Sequence, residues 1–330
     1  MTGKTEGYLI TSSPHLFSPS STSKIMYTVI ATLLPVAVVS ILLFGMKVLL
    51  LYAVSIATAV ATEAVIKAVR GQSTRSVFDG SAVITGLLLV MVVPPDLSPI
   101  FVALGAFVAI FIGKEVFGGL GANVFNPALV GRAFLSASYP VQMTTYSEPA
   151  ALFPFLSGAD AASGATPLAA ARFEGVVAPL KTLLFGQTGG SIGETCALLI
   201  IVGGLVLMAL KIVEWRLVLS YLGSVFLLAG LFYLIDPSTY SSPVFHLLSG
   251  GLMLGAFYMA TDMATSPYTP WGNVAFGVGA GIIVVVIRLF GGFPEGVMYS
   301  ILLMNAATPL INRYTLPKTF GEQTGKGAVT

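Results

Sequence analysis

IMYTVIATLLPVAVVSILLF (residues 25–44), GMK (45–47) and VLLLYAVSIATAVATEAVI (48–66) decide the fold. Each flanking run is close to the roughly 20 apolar residues that carry a helix across a bilayer, and Glu63 is the one charge within them. In lipid a backbone must satisfy its hydrogen bonds internally, so such runs are helices, and the short GMK link makes them a hairpin. The rest of the chain has the same character. Hydrophobic residues make up 55% and charged ones 9% of its 330 residues, and the mean hydropathy is +0.91. That leaves too little polar surface for a water-soluble domain, and the chain reads as an integral membrane protein.

Further spans follow on both sides of a long polar interval. Residues 77–93 run to a stop at Pro94-Pro95-Asp96, 100–113 lead into Lys114-Glu115, and 122–137 contain Asn126-Pro127 and Arg132. Beyond the interval the spans are read at 192–210, 217–235, 244–260, 274–290 and 296–311. The expected organisation is a cytoplasmic N-terminal segment (1–24), a first five-helix repeat (25–137) and an extracytoplasmic loop (138–191). A second five-helix repeat (192–311) and a cytoplasmic tail (312–330) complete it. Pro14 and a Ser/Thr run precede the first span with no small-residue cleavage site after it, which reads as an uncleaved first helix.

Cationic loops stay in the cytoplasm. With the N-terminus inside, Lys4, Lys24, Lys67, Arg70, Arg75, Lys114, Lys211, Arg216, Arg313, Lys318 and Lys326 are inner, against Lys47, Arg172, Lys181 and Arg288 outside. Both termini are therefore expected inside and the 138–191 loop outside. The two halves also echo each other. Gly86-Leu87-Leu88-Leu89 matches Gly251-Leu252-Met253-Leu254, and Val116-Phe117-Gly118-Gly119 matches Leu289-Phe290-Gly291-Gly292. An odd number of spans per half makes equivalent segments cross in opposite directions, which is an inverted repeat with its site at the repeat interface. Chance likeness between Gly-rich apolar runs is the plainer alternative.

Composition excludes several functions. A net charge of +2 with no Lys/Arg run points to no nucleic-acid partner. Cys196 is the single cysteine, so the chain alone forms no disulfide and no cysteine-held iron–sulfur or zinc site. His15 and His246 lie far apart in sequence, and no metal ligand set is assigned.

The chemistry-bearing stretch lies in the outer loop: SGADAASGATPLAAAR, residues 157–172. Asp160, Ser163, Gly164 and Ala165 lead to Thr166, whose hydroxyl can form a phosphoester while small neighbours let a bulky group approach. Pro167 favours an extended Thr166 with its side chain turned outward. On pattern alone, four small residues equally make a plain Ser-Gly turn. Asp160-x-x-Ser163-Gly164-Ala165-Thr166 resembles the flavinylation motif, in which a flavin transferase links the phosphate of FMN to the threonine, with Pro167 where such motifs elsewhere often carry Ser or Thr.

The whole chain up to the tail is similar to the RnfD/NqrB family of membrane proteins. The likeness is carried by Ser13-Pro14-His15, Phe78-Asp79-Gly80-Ser81-Ala82, Gly121-Ala122-Asn123-Val124-Phe125-Asn126-Pro127-Ala128 and Tyr258-Met259-Ala260-Thr261-Asp262-Met263-Ala264-Thr265-Ser266-Pro267. The absence of a longer N-terminal extension favours the RnfD branch. This resemblance implies a urea-transporter-like all-α fold of ten transmembrane helices, FMN on Thr166, and a non-covalent riboflavin as a further possibility. It also implies electron relay between ferredoxin and NAD in a complex coupled to sodium or proton movement across the bacterial inner membrane. RnfA, RnfB, RnfC, RnfE and RnfG are the implied partners, with the flavin transferase during maturation. A solute channel of the same fold is the alternative, and a purely anchoring role is a third reading.

Ionisable residues in or near spans point to function by default. Glu63, Asp79, Glu115, Arg132 and Asp262 qualify. Glu63 and Lys67, four apart, read as an interfacial ion pair, and Lys114-Glu115 as a cytoplasmic span end. Arg132 partners a carbonyl or carboxylate between helices, or else a flavin or ion. His246 reads as a packed histidine. Asp262 with Thr261, Thr265 and Ser266 either caps a turn or offers oxygens to a hard cation, capping being preferred.

Overall fold

The computed structural model describes residues 21–147, 163–186, 188–194 and 196–317. Asp160, the Ser13-Pro14-His15 motif, most of the N-terminal segment and most of the tail lie outside the described residues.

Helix α1 (Thr22–Phe44) starts where the Ser21 hydroxyl accepts from the Lys24 N–H, and ends at Gly45. Gly45 takes φ 86°, a conformation glycine adopts at no steric cost, and α2 (Met46–Val69) begins at the next residue. Lys47 thus falls in the first turn of α2, where its Nζ pairs with Asp96 at 2.9 Å and ties the hairpin to the connection after the third helix. Two further helices, α10 (Trp215–Ile235) and α13 (Pro270–Phe290), match α1 and α2 in length and hydropathy. These four are long and apolar enough to cross a membrane, and the protein is a mostly helical, polytopic membrane protein.

The remaining apolar segments are shorter or broken. The third is α3 (Ser81–Met91), started by Asp79 accepting from the Ser81 N–H and hydroxyl. At ~1.5 Å per residue it covers about half of a bilayer core, and residues 92–95 carry the chain on through buried irregular backbone. α4 (Pro99–Ile110) continues into a wide, π-type turn at Phe111–Glu115, and α5 (Pro127–Ser138) is capped by Asn126. In the second half α9 (Ala197–Ala209) precedes α10. The stretch read as a single span over 244–260 is broken into α11 (Pro243–Leu248), α12 (Leu252–Leu254) and a second wide turn, Gly255–Met259. Gly250 at φ 68° makes the break. α14 (Val297–Tyr314) closes the bundle. The matched stretches fall at comparable places: 86–89 in α3 and 251–254 at α12, then 116–119 after the α4 turn and 289–292 at the end of α13.

Small residues let the helices approach. A Cβ on Gly277 of α13 would lie 2.7 Å from the Leu217 carbonyl oxygen and 2.8 Å from the Tyr221 nitrogen of α10. One on Gly131 of α5 would lie 2.6 Å from the Gly105 carbonyl of α4. Lipid gives apolar faces no reason to associate, so this close backbone packing is what joins them. The halves meet where the Ile192 N–H donates to the Val93 carbonyl at 3.1 Å, in a layer filled by Leu89, Met91, Val93 and Ile192.

The polar interval forms a cover over one end. α6 (Pro140–Thr144), strand β1 (Tyr146–Ser147), strand β2 (Ser163–Gly164), α7 (Pro167–Ala169) with a wide turn at Ala170–Glu174, and α8 (Leu180–Phe185) make up its described part. β1 and β2 pair antiparallel, Tyr146 opposite Gly164.

Candidate functional site

Thr166 follows β2 by one residue and caps α7. Its backbone is extended, φ −64° and ψ 152°, as Pro167 dictates, and its Oγ1 accepts from the Ala169 N–H at 3.2 Å. The side chain is not turned outward: only 4% of the residue is exposed. It faces inward because the β1–β2 pair and the cap fix the loop over α5 and α14, with the threonine on the wall of a cavity of about 400 Å³.

That volume lies within the ~300–1,000 Å³ of small-molecule and cofactor sites. Phe173, Phe293 and Tyr299 supply aromatic walls, and Gly164 and Ala165 line the cavity beside Thr166. Phe173 and Phe293 are themselves more than half exposed, so the cavity opens at its rim. Arg132 of α5 and Glu295 of the α13–α14 connection form the polar side, joined by Arg132 Nη2 donating to Glu295 Oε2 at 2.5 Å. The Arg132 Nε is buried without a partner among the described residues. A phosphate-bearing aromatic group fits these residues: a hydroxyl to esterify, a cation on the wall, and flat apolar walls.

Glu194, in the turn Ile192–Glu194 ahead of α9, adjoins this polar side. Its carboxyl lies within electrostatic reach of both Glu295 and Arg132. For Glu295 burial favours the neutral carboxyl, but the Arg132 guanidinium prevails and holds it below its ordinary value. Arg288 of α13 completes the group, donating to the His246 carbonyl at 2.5 Å and the Ser249 carbonyl at 3.0 Å. His246 is packed, 7% exposed, as expected.

The other expected ionisable residues gather at the opposite end of the helices. Glu63 accepts from Lys67, and also from Lys114 Nζ at 2.7 Å, which in turn donates to Ser81 Oγ at 2.6 Å. The expected Glu63–Lys67 ion pair is present, and it is buried within the protein together with Lys114: Glu63 is 0%, Lys67 7% and Lys114 2% exposed. Glu115 is buried as well and accepts from Arg70 at 3.2 Å. Asp262 accepts from Asn123 Nδ2, Thr265 Oγ1 and the Ala264 N–H at 3.4, 3.3 and 3.5 Å, a turn-capping arrangement. Among the described residues no group of His, Cys, Asp or Glu forms a metal-ligand set. A smaller cavity of about 90 Å³ lies here, with Lys114, Asn123, Asn126 and Asp262 on its wall. Of the motif residues, Ser163 stands in β2, Gly164, Ala165 and Thr166 come together at the large cavity, and Asp160 lies outside the described residues.

Comparison with known proteins finds relatives of the sequence over nearly its whole length. The family model described as "NQR2, RnfD, RnfE family" matches residues 9–321. The chain belongs to that family. Among the family's members, the D subunit of the proton-translocating ferredoxin:NAD(+) oxidoreductase complex of Clostridium ljungdahlii is 45% identical, over 95% of this chain and 96% of its own. The D subunit of the Na(+)-translocating ferredoxin:NAD(+) oxidoreductase complex of Acetobacterium woodii is 42% identical, over 94% and 95%. The corresponding protein of the ion-translocating oxidoreductase complex of Stutzerimonas stutzeri is also 42% identical, over 92% and 93%. Relatives named for protons and for sodium resemble this family member almost equally, so overall similarity does not choose the ion.

Sequence reasoning missed Glu194, Glu295 and the aromatic wall. Glu295 had one available signal, a charged residue in a short connection between two apolar spans, where cost implies purpose.

Proposed function

We propose that this chain is the D subunit of an ion-translocating ferredoxin:NAD oxidoreductase complex and carries FMN, through its phosphate, on Oγ1 of Thr166. The observation that carries the proposal is the placement of Thr166 on the wall of an aromatic-lined cavity of about 400 Å³ with a buried guanidinium across it. When bound, the flavin supplies one-electron transfer between single-electron centres and two-electron carriers. Thr166 gives up its hydroxyl proton and provides the ester oxygen. Arg132, on the cavity wall, offers a positive charge to the negatively charged group, and Phe173, Phe293 and Tyr299 hold a planar ring. Because Thr166 is buried once the loop has packed, the flavin transferase acts before the β1–β2 pair closes.

The finer architecture belongs to the same proposal. Ten crossings in a 5+5 inverted, urea-transporter-like arrangement are supported by the paired stretches at matching places and by the broken third segment of each half. The cationic bias supports both termini inside and the Thr166 loop outside, and the bacterial relatives support placement in the inner membrane. RnfA, RnfB, RnfC, RnfE and RnfG are the proposed partners. A non-covalent riboflavin is proposed without an assigned place, since the cavity of about 90 Å³ at the other end admits a flavin only on opening. The solute-channel alternative is disfavoured because the layer between the halves is filled: Leu89, Met91, Val93 and Ile192 are all 0% exposed.

The test is in-gel flavin fluorescence of the denatured chain co-expressed with a flavin transferase. Fluorescence retained by the wild type and lost in Thr166→Ala is expected. A dark wild-type band beside an active transferase would remove the flavin, and with it the electron relay through this protein.

A further inference from the structure

Two carboxyl oxygens and two guanidiniums converge behind the Thr166 cavity. A Cβ built on Gly250 would lie 3.8 Å from Glu295 Oε1 and 3.3 Å from Arg288 Nη2, and one built on neighbouring Gly251 would lie 3.6 Å from Glu194 Oε1. Each Oε1 therefore faces one of two neighbouring glycines, the two carboxyls act directly on each other, and among the described residues neither Oε1 has a hydrogen-bond partner, although both are shut off from solvent. Arg132 and Arg288 are 8% and 4% exposed, each with an unpartnered Nε. Arg132 pairs with Glu295, Arg288 is occupied by backbone carbonyls, and Glu194 makes no ion pair among the described residues. Tyr146, from β1, also faces Glu194, Glu295 and Arg132, while Tyr221 of α10 and His246 of α11 lie within electrostatic reach of Arg288.

A single proton held between the two carboxyls satisfies both orphaned oxygens at once, as one O–H donor and one acceptor, and removes the repulsion of two like charges in one buried site. Glu295 also lines the cavity, so charge added there is felt by the pair through a low-dielectric medium. We propose that Glu194 and Glu295 form a proton site coupled to the redox state of the group on Thr166. This inference rests on the flavin reading above. With the cavity group oxidised, the pair holds one proton and Glu295 keeps its charge against Arg132. When a one-electron donor of the complex adds an electron to the cavity, the Glu295 carboxylate binds one proton from the outer aqueous phase. Arg132 is then released to face the added negative charge. When the electron leaves, Glu295 returns the proton and the Arg132 pair re-forms. One proton is bound per electron, and charge in the cluster balances in both states.

Redox-difference infrared spectroscopy on the purified complex tests this, because it reads carboxyl protonation separately from electron transport. Reduced-minus-oxidised spectra of the wild type should gain a protonated-carboxyl C=O band that shifts in D2O. The gain should vanish in Glu295→Gln, shift in Glu194→Gln, and vanish in Thr166→Val together with that site's flavin bands. Should a glutamate variant fail to assemble, wild-type complex labelled with 13C-glutamate decides: the gained band moves with the label if the proposal holds. Flavin bands that depend on Thr166, accompanied by no gained carboxyl band or by one that ignores label and variants, overturn the proton site and leave the flavin reading standing. Absence of any band that depends on Thr166 overturns both.

Discussion

Arg132→Met tests the polar side of the cavity directly. The substitution keeps the bulk of the stem and removes the cation, so Glu295, 16% exposed at its side chain, loses its ion pair. Breaking a buried pair in this way costs about 3–5 kcal/mol when the remaining group must stay charged. Glu295 has an escape, since it can take a proton. At pH 7 a carboxyl of ordinary pKa near ~4.3 needs about 1.36 kcal/mol per pH unit to do so, or about 3.7 kcal/mol, and the loss cannot exceed that by much. The sign follows: in the variant the folded-state pKa of Glu295 is raised, so the loss is small near pH 4–5 and grows by about 1.4 kcal/mol per unit as pH rises. Adding Glu295→Gln removes the stranded charge, so the double variant should recover most of the stability and lose the pH slope. Heat resistance of the detergent-solubilised protein, followed from pH 5 to 8, reads this out. A single variant as stable as the wild type at pH 8, or a double variant no better than the single, would refute the reasoning.

Gly131→Ala forces a methyl against the Gly105 carbonyl, and overpacking of this kind costs about 1–3 kcal/mol. Because Arg132 is the next residue, covalent flavin content should fall along with heat resistance, and unchanged fluorescence would count against close α4–α5 packing as the support of the site. Glu63→Gln leaves Lys67 and Lys114 without their shared carboxylate, a loss of about 3–5 kcal/mol visible as reduced yield of folded protein. Lys47→Ala is the contrast: its pair with Asp96 is half-exposed on both sides, and thermal stability should change by about 1 kcal/mol or less.

The long helices were legible because a run of apolar residues bounded by polar ones has few other solutions. The run read at 217–235 is α10, Trp215–Ile235, and that at 25–44 is α1, Thr22–Phe44. The run at 244–260 was not legible as two pieces. Apart from His246 and Tyr258 every residue in it is apolar or small, so periodicity does not mark the break, and Ser249-Gly250-Gly251 alone hints at the turn that Gly250 makes by its positive φ. For the site, the threonine was readable from its neighbours in sequence. Glu295, whose partner Arg132 lies 163 residues away, was not, because an ion pair between a helix and a distant connection leaves no local pattern. Lys114 illustrates the same limit. It reads as a membrane-end cation beside Glu115, yet the wide turn Phe111–Glu115 rotates it back onto Glu63, 51 residues earlier.

The charges also bear on what this protein can carry. One group, Arg132, Glu194, Arg288 and Glu295, lies behind the Thr166 cavity. The other, Glu63, Lys67, Arg70, Lys114, Glu115 and Asp262, lies at the far end of the helices. Between them α1, α3, α4, α9 and α14 bring no charged side chain until their terminal turns, and Leu89, Met91, Val93 and Ile192 close the centre. An ion crossing this bundle would leave all its charged partners for an apolar layer, at a cost that only a water-filled opening or moving helices could lift. An electron needs no such opening, since it passes between fixed centres. A bundle with an apolar middle and a cavity of about 400 Å³ at one end is in keeping with the redox centre proposed on Thr166. The proton exchanged at Glu295 would enter and leave on the cavity's own side, as a local accompaniment of electron transfer.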